Sequence, residues 1–182
     1  MRFLVIVDMQ NDFITGPLGT PEAVMARDNL IKYLKTFDGG VILTRDTHFL
    51  PEYYDSQEGK KLPIEHCIWE TEGWNVDPSI FEVIQQYEIP YIYCDKESFG
   101  SNILMDLLYR RDFDKNDEFI FCGVCTDICV ITNALIVKTW YPENPIYVLD
   151  DCCAGSTPLK HVQALSVMES CQIEVVKSDG LL

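Results

Sequence analysis

Apolar and polar residues fall along this chain in blocks. Six short runs rich in β-branched and aromatic residues read as strands: RFLVIV (2–7), GVILT (40–44), PYIYC (90–94), EFIFCG (118–123), PIYVLD (145–150) and QIEVV (172–176). Their apolar stretches are nearly continuous, which is the pattern of strands covered on both faces. Between them the apolar positions take up helical spacing near 21–37, 79–87, 100–110, 127–140 and 158–169. Pro21 and Pro158 stand at the first turn of their helices, where a missing N–H costs nothing. Strands alternating with helices predict a doubly wound α/β fold, a three-layer sandwich around a six-stranded, mostly parallel sheet. One stretch breaks the rhythm. Residues 45–78 hold Asp, Glu, His, Gly, Pro and two Trp with little periodicity. A loop of that length in a compact domain is usually functional or disordered, and its tryptophans argue for order.

Composition narrows the possibilities without choosing among them. At 182 residues and 47% hydrophobic content, the chain suits a single domain with a sizeable core. The net charge of −15 argues against nucleic acid or an anionic membrane as partner. No charged-then-apolar leader opens the sequence and no apolar run approaches spanning length, so a cytoplasmic location is expected. The eight cysteines do not change this. Disulfide scaffolds are short, secreted and poor in core, whereas here Cys94, Cys122 and Cys171 follow or adjoin apolar runs, as inert packing residues do.

The chemistry gathers just past the strands. Open α/β sheets bind ligands at the carboxyl ends of their strands, near the switch in strand order. The first strand runs into Asp8 in VDMQNDF, and the second leads to Asp46 and His48 in TRDTH. The third is followed by Lys96 in DKESFG, and the fourth by GVCTDIC, which holds Cys125 and Cys129. Each admits a structural explanation alone: Asp8 capping a turn, Asp46 paired with Arg45, Lys96 solvated. Their convergence on one rim is harder to explain that way. Cys129 is separable from its neighbours, because Cys125 or Thr126 as N-cap places it in the first helical turn. There the free N–H groups and the helix dipole favour thiolate and an adjacent oxyanion, while Asp127 opposes the thiolate. A Cys122–Cys125 redox pair is the competing reading of the same residues. In the long loop, Asp46, His48 and His66 are either unrelated polar residues or ligands for zinc, iron or manganese.

Taken together, VDMQNDF, TRDTH, the HC of the long loop, the lysine after the third strand and GVCTDICV resemble the isochorismatase-like cysteine hydrolases, nicotinamidases above all. The resemblance spans essentially the whole chain. It implies strand order 3-2-1-4-5-6, which sets Asp8 beside Cys129 at the switch point. It implies a triad of Asp8, Lys96 and Cys129, an oxyanion hole from the backbone N–H groups of Cys125 and Cys129, and a cis peptide before Cys125. It further implies one divalent metal ion, zinc first, on Asp46, His48 and His66. The fourth ligand varies in such proteins. Glu58 is the expected one here, ahead of Glu65 and Glu52, while His161 is expected to be structural or solvent-facing. Phe13 and Phe99 are placed to sandwich a flat ring. Leu62-Pro63 where many members carry a bulky aromatic, Glu70 where glycine is usual, and a short KESFGS segment are departures that bear on substrate. The implied activity is hydrolysis of nicotinamide to nicotinate and ammonia through a cysteine thioester. Its alternatives are another small amide or carbamoyl substrate, a non-catalytic binding protein, or a thiol redox protein. True isochorismatases resemble the chain less, since they typically lack the nucleophilic cysteine. The expected partner is a small-molecule amide, and self-association into a homo-oligomer is expected.

Overall fold

A computed structural model describes residues 1–109 and 113–181. Strands β1 (Arg2–Val7), β2 (Gly40–Asp46), β3 (Tyr91–Lys96), β4 (Glu118–Val124), β5 (Ile146–Ala154) and β6 (Glu174–Val176) form one sheet in the order β3-β2-β1-β4-β5-β6. Every pairing in it is parallel. The expected fold class and strand order are therefore those observed. Helices α1 (Asn11–Ile14), α2 (Pro21–Leu34), α3 (Glu52–Asp55), α4 (Gln57–Lys61), α5 (Pro78–Gln86), α6 (Asn102–Tyr109), α7 (Ile131–Trp140) and α8 (Pro158–Ser170) flank the sheet. Residue 110, the end of the helix predicted over 100–110, lies outside the described residues.

Local chemistry sets the helix starts. Thr20 accepts from the Ala23 N–H with Pro21 at the first position of α2, and Thr157 accepts from the Lys160 N–H ahead of Pro158 in α8. The same cap-then-proline device, Asp77 before Pro78, starts α5. The central strands are buried on both faces: Leu4 to Val7 of β1 and Phe119 to Cys122 of β4 are all shielded from solvent. That is why these runs read as continuously apolar rather than alternating.

The sheet is drawn tightest where β1 and β4 end. Val7 lies in register with Gly123, whose φ is 118°. A Cβ on Gly123 would lie 2.0 Å from the Val7 carbonyl oxygen, so only glycine allows this approach. Immediately beyond, Asp8 takes a left-handed φ of 51° and leaves the strand direction.

The 45–78 segment is ordered by one of its two tryptophans. Arg45 lies 3.6 Å over the Trp74 ring and 4.1 Å from Tyr93, and pairs with Asp95 at 2.7 and 2.9 Å. Arg45 thus serves Asp95, leaving Asp46 free of it. Trp74 is buried and donates to Thr47 Oγ1 at 2.9 Å, whereas Trp69 is exposed against Phe49.

Candidate active site

Asp8, Lys96 and Cys129 meet at the carboxyl ends of β1, β3 and β4. Lys96 Nζ lies 2.6 Å from Asp8 Oδ2, 3.2 Å from Asp46 Oδ1 and 3.6 Å from Cys129 Sγ. Asp8 Oδ1 accepts from the Thr44 hydroxyl at 2.6 Å, and its N–H donates back to the same oxygen at 3.1 Å. All three members are buried. Burial pushes the Lys96 ammonium toward neutrality, but Asp8, Cys129 and Asp46 outweigh it and hold the pKa well above its usual value. Burial raises the Asp8 carboxyl above the ordinary carboxylate value, against the pull of Lys96. Burial also drives the Cys129 thiol well above its usual range; Asp8 adds to this and Lys96 opposes it. The electrostatics therefore run against the resting thiolate expected from position alone. The site holds a thiol whose Sγ lies 3.6 Å from Lys96 Nζ, beside a carboxylate whose own affinity for protons is raised.

The turn that carries Cys129 differs from an ordinary helix start. Cys125 is its N-cap and follows a cis peptide bond from Val124. Residues Thr126–Val130 form a π-turn, with the Val130 N–H reaching back to the Cys125 carbonyl at 3.1 Å, before α7 begins. Asn133, fully buried, donates to the Cys129 carbonyl at 2.8 Å and the Phe99 carbonyl at 3.0 Å and accepts from the Ser101 N–H at 3.0 Å. It ties the Cys129 turn to the loop after β3. Cys122 is buried in β4 beside Cys152 and Cys153, and all eight cysteines are free. Cys94 is buried too, while Cys171 is half-buried at the end of α8.

The second constellation comes from the long loop. One ligand atom each from Asp46, His48, Glu58 and His66 lie within 4.8 Å of one another. His48 Nε2 is buried without a hydrogen bond, although Asp46 Oδ2 is 3.0 Å away and Glu58 Oε2 4.0 Å away. His66 Nε2 is 3.7 Å from both carboxylates. Its Nδ1 lies 2.9 Å from the Ile64 carbonyl, which fixes the tautomer and aims the Nε2 lone pair inward. Two imidazole nitrogens and two carboxylates facing one point, with His48 Nε2 making no hydrogen bond among the described residues, fit a divalent cation. Glu65 instead receives the Tyr54 hydroxyl at the surface, and Glu52 is exposed on α3.

Both constellations open on one cavity of about 260 Å³, lined among others by Phe13, Asp46, His66, Phe99, Cys125 and Cys129. It falls below the ~300 Å³ where drug-sized ligand pockets begin, so it suits a small molecule. Phe13 stands 5.4 Å from the His66 ring, and Phe99 is nearly half exposed at the mouth. Leu62, one of the departures from the resembled pattern, also lines the wall.

Some residues of the site carry no signal of their own in the sequence. Gln10 accepts the Asp46 N–H at 2.7 Å and donates to the Asp46 and Trp74 carbonyls at 2.9 and 2.8 Å, fixing the ligand strand end. Its place three residues past β1, inside VDMQNDF, was the available hint. Tyr53 donates to the Leu62 carbonyl at 2.6 Å and sits 3.3 Å from His66 Nδ1, and burial pushes its hydroxyl up to about 12.

Comparison with known proteins adds four findings. Residues 2–180 match the isochorismatase domain family. The nicotinamidase of Schizosaccharomyces pombe is 28% identical over 206 residues, covering 95% of this chain and 91% of that one. A crystal structure of the Bacillus subtilis nicotinamidase/pyrazinamidase superposes with a TM-score of 0.80 at 23% identity, over 97% of this chain and 99% of that one. The pyrazinamidase of Pyrococcus horikoshii in complex with zinc superposes with a TM-score of 0.73 at 22% identity, over 97% and 98%.

Proposed function

The chain belongs to the isochorismatase family, and from that premise we propose that it is a cysteine amidohydrolase that converts nicotinamide to nicotinate and ammonia. The observation that carries the reading is Lys96, buried 2.6 Å from Asp8 and 3.6 Å from Cys129, with the Cys129 side chain on the wall of a small apolar cavity. A buried lysine clamped between an acid and a thiol is the arrangement of an activated nucleophile.

Asp8 takes the Cys129 proton as sulfur attacks the carboxamide carbon. Its raised proton affinity makes it a stronger base than a solvated carboxylate, and general-base action of this kind contributes roughly 10²–10⁴-fold. Lys96 balances the negative charge passing between sulfur and carboxylate. The tetrahedral oxyanion rests on the backbone N–H groups of Cys125 and Cys129 in the π-turn. Asp8 then returns the proton to the departing nitrogen, ammonia leaves, and a thioester remains on Cys129. Water, deprotonated by Asp8, attacks the thioester; the acid departs and the thiol is restored. Phe13 and Phe99 hold the ring from the cavity walls. Asp46, His48, Glu58 and His66 would hold one divalent metal ion, zinc first, which when bound offers a coordination position for a ring nitrogen and so orients the substrate.

Ammonia release across a panel of small amides tests the assignment. Nicotinamide should be turned over fastest. Cys129→Ala should abolish turnover, while Cys125→Ala and Cys122→Ala retain much of it. Equal loss in all three variants would point to a thiol cluster instead.

A further inference from the structure

The nucleophile turn is pinned from behind by groups that the proton path does not use. Thr126, fully buried, places its hydroxyl 2.8 Å from Nδ1 of His161 on α8. The other ring nitrogen, Nε2, lies 3.0 Å from Asp150 Oδ1 on β5. A carboxylate can only accept, so Nε2 carries the hydrogen toward Asp150, and Nδ1 faces the Thr126 hydroxyl. The next residue, Asp127, accepts from the Ser156 N–H and hydroxyl, both at 2.7 Å. Consecutive residues of the turn are thus held by α8 and by the segment that joins it to β5. Gly155 closes the gap: a Cβ there would come within 2.8 Å of His161, so the helix stands as near the wall as the backbone allows. Ala154 and Gly155 face the substrate cavity on one side and, on the other, a second cavity that His161 and Asp150 line. His161 therefore stands behind the wall, away from the reacting atoms.

We propose that His161, oriented by Asp150, is a positioning residue for amide hydrolysis: its ring fixes Thr126 and so the turn that presents the Cys125 and Cys129 N–H groups to the oxyanion. The inference rests on the amidohydrolase reading. Small misplacements of such a turn are costly, since a ~1 Å error in geometry costs on the order of 10²-fold in rate. His161→Ala should lower kcat roughly 10- to 100-fold with KM little changed, because the turn's N–H groups act on an oxyanion that forms only on the way to the transition state. Thr126→Val should do the same, and the double variant should lose no more than the worse single one. Because His161 is 18% exposed in its side chain and borders a surface cavity, added imidazole should restore much of the kcat of His161→Ala, and none of the double variant's. Asp150→Asn, a gentler change, should give a smaller loss confined to kcat. Unchanged kcat in both His161→Ala and Asp150→Asn, or a loss that imidazole leaves untouched, overturns the proposal. Should the wild-type protein hydrolyse no amide of the panel, the functional reading fails by itself. The role of His161 is then read from carbamidomethylation of Cys129 by iodoacetamide: slowing in His161→Ala with imidazole recovery supports it, and an unchanged rate sinks it.

Discussion

Asp8 stands just past the close approach of β1 to β4 at Gly123. Its left-handed backbone, of the kind that costs a non-glycine residue roughly 1–3 kcal/mol, turns its carboxylate back between Thr44 and Lys96. At rest it is an ion-pair partner, and in the reaction it must take a proton. Residues that act as a unit lose their effect together. Asp8→Asn and Lys96→Met should each lower kcat/KM by roughly 10³-fold or more, and adding Cys129→Ala to either should cost little further. Turnover near wild type in Asp8→Asn would rule out this proton path. At this scale the sequence was legible where a chemically distinctive residue followed a strand, as Asp8, Lys96 and Cys129 do. It was illegible where an ordinary amide or imidazole found its partners far along the chain. Nothing local in Asn133 says that it will meet Phe99 and Ser101, or in His161 that it will reach Thr126.

Among the elements, the strands were readable as continuous apolar runs, buried on both faces, and the long helices because burial on one face repeats over enough residues to show a period. The helices of residues 45–78 were not. Those of α3 and α4 span four and five residues, too few for periodicity, and their placement comes from side-chain bonds. Ser56 caps Gly59 at 2.9 Å, and Gly59 packs so closely that a Cβ would lie 2.0 Å from the Tyr53 carbonyl oxygen. That packing carries Glu58 toward His48 and His66. A loop fixed so tightly has a specific expected consequence. If an ion held there orients a ring nitrogen, chelation or His48→Ala should impair nicotinamide turnover far more than benzamide turnover, since benzamide has no ring nitrogen to lose. Paired kcat/KM values decide it. An undiminished preference for nicotinamide in metal-free, folded protein would leave the loop a structural role only.

Over the whole molecule, 29 acidic residues against 14 basic ones give a charge of −15, and the folded state carries that self-repulsion. Screening should relieve it. Raising sodium chloride from about 20 to about 300 mM should raise the Tm by a few degrees, as the Debye length shrinks from roughly 20 Å to below 8 Å. A Tm that falls with salt would show that ion pairs such as Arg45–Asp95 outweigh the repulsion. The strand order has a consequence of another kind. β1, β2 and β3 carry Asp8, Asp46 and Lys96, and the loop after β2 carries the remaining cluster residues, whereas Cys129 arrives only with β4. The base and the nucleophile therefore belong to two half-molecules that touch in the sheet along a single seam, the β1–β4 ladder from Arg2↔Glu118 to Val7↔Gly123. A chain divided between Tyr109 and Glu118 yields one fragment with an acid and no thiol to act on, and another with a thiol and no acid. Neither can make a thioester by this route, and only fragments that re-form the seam regain a complete site.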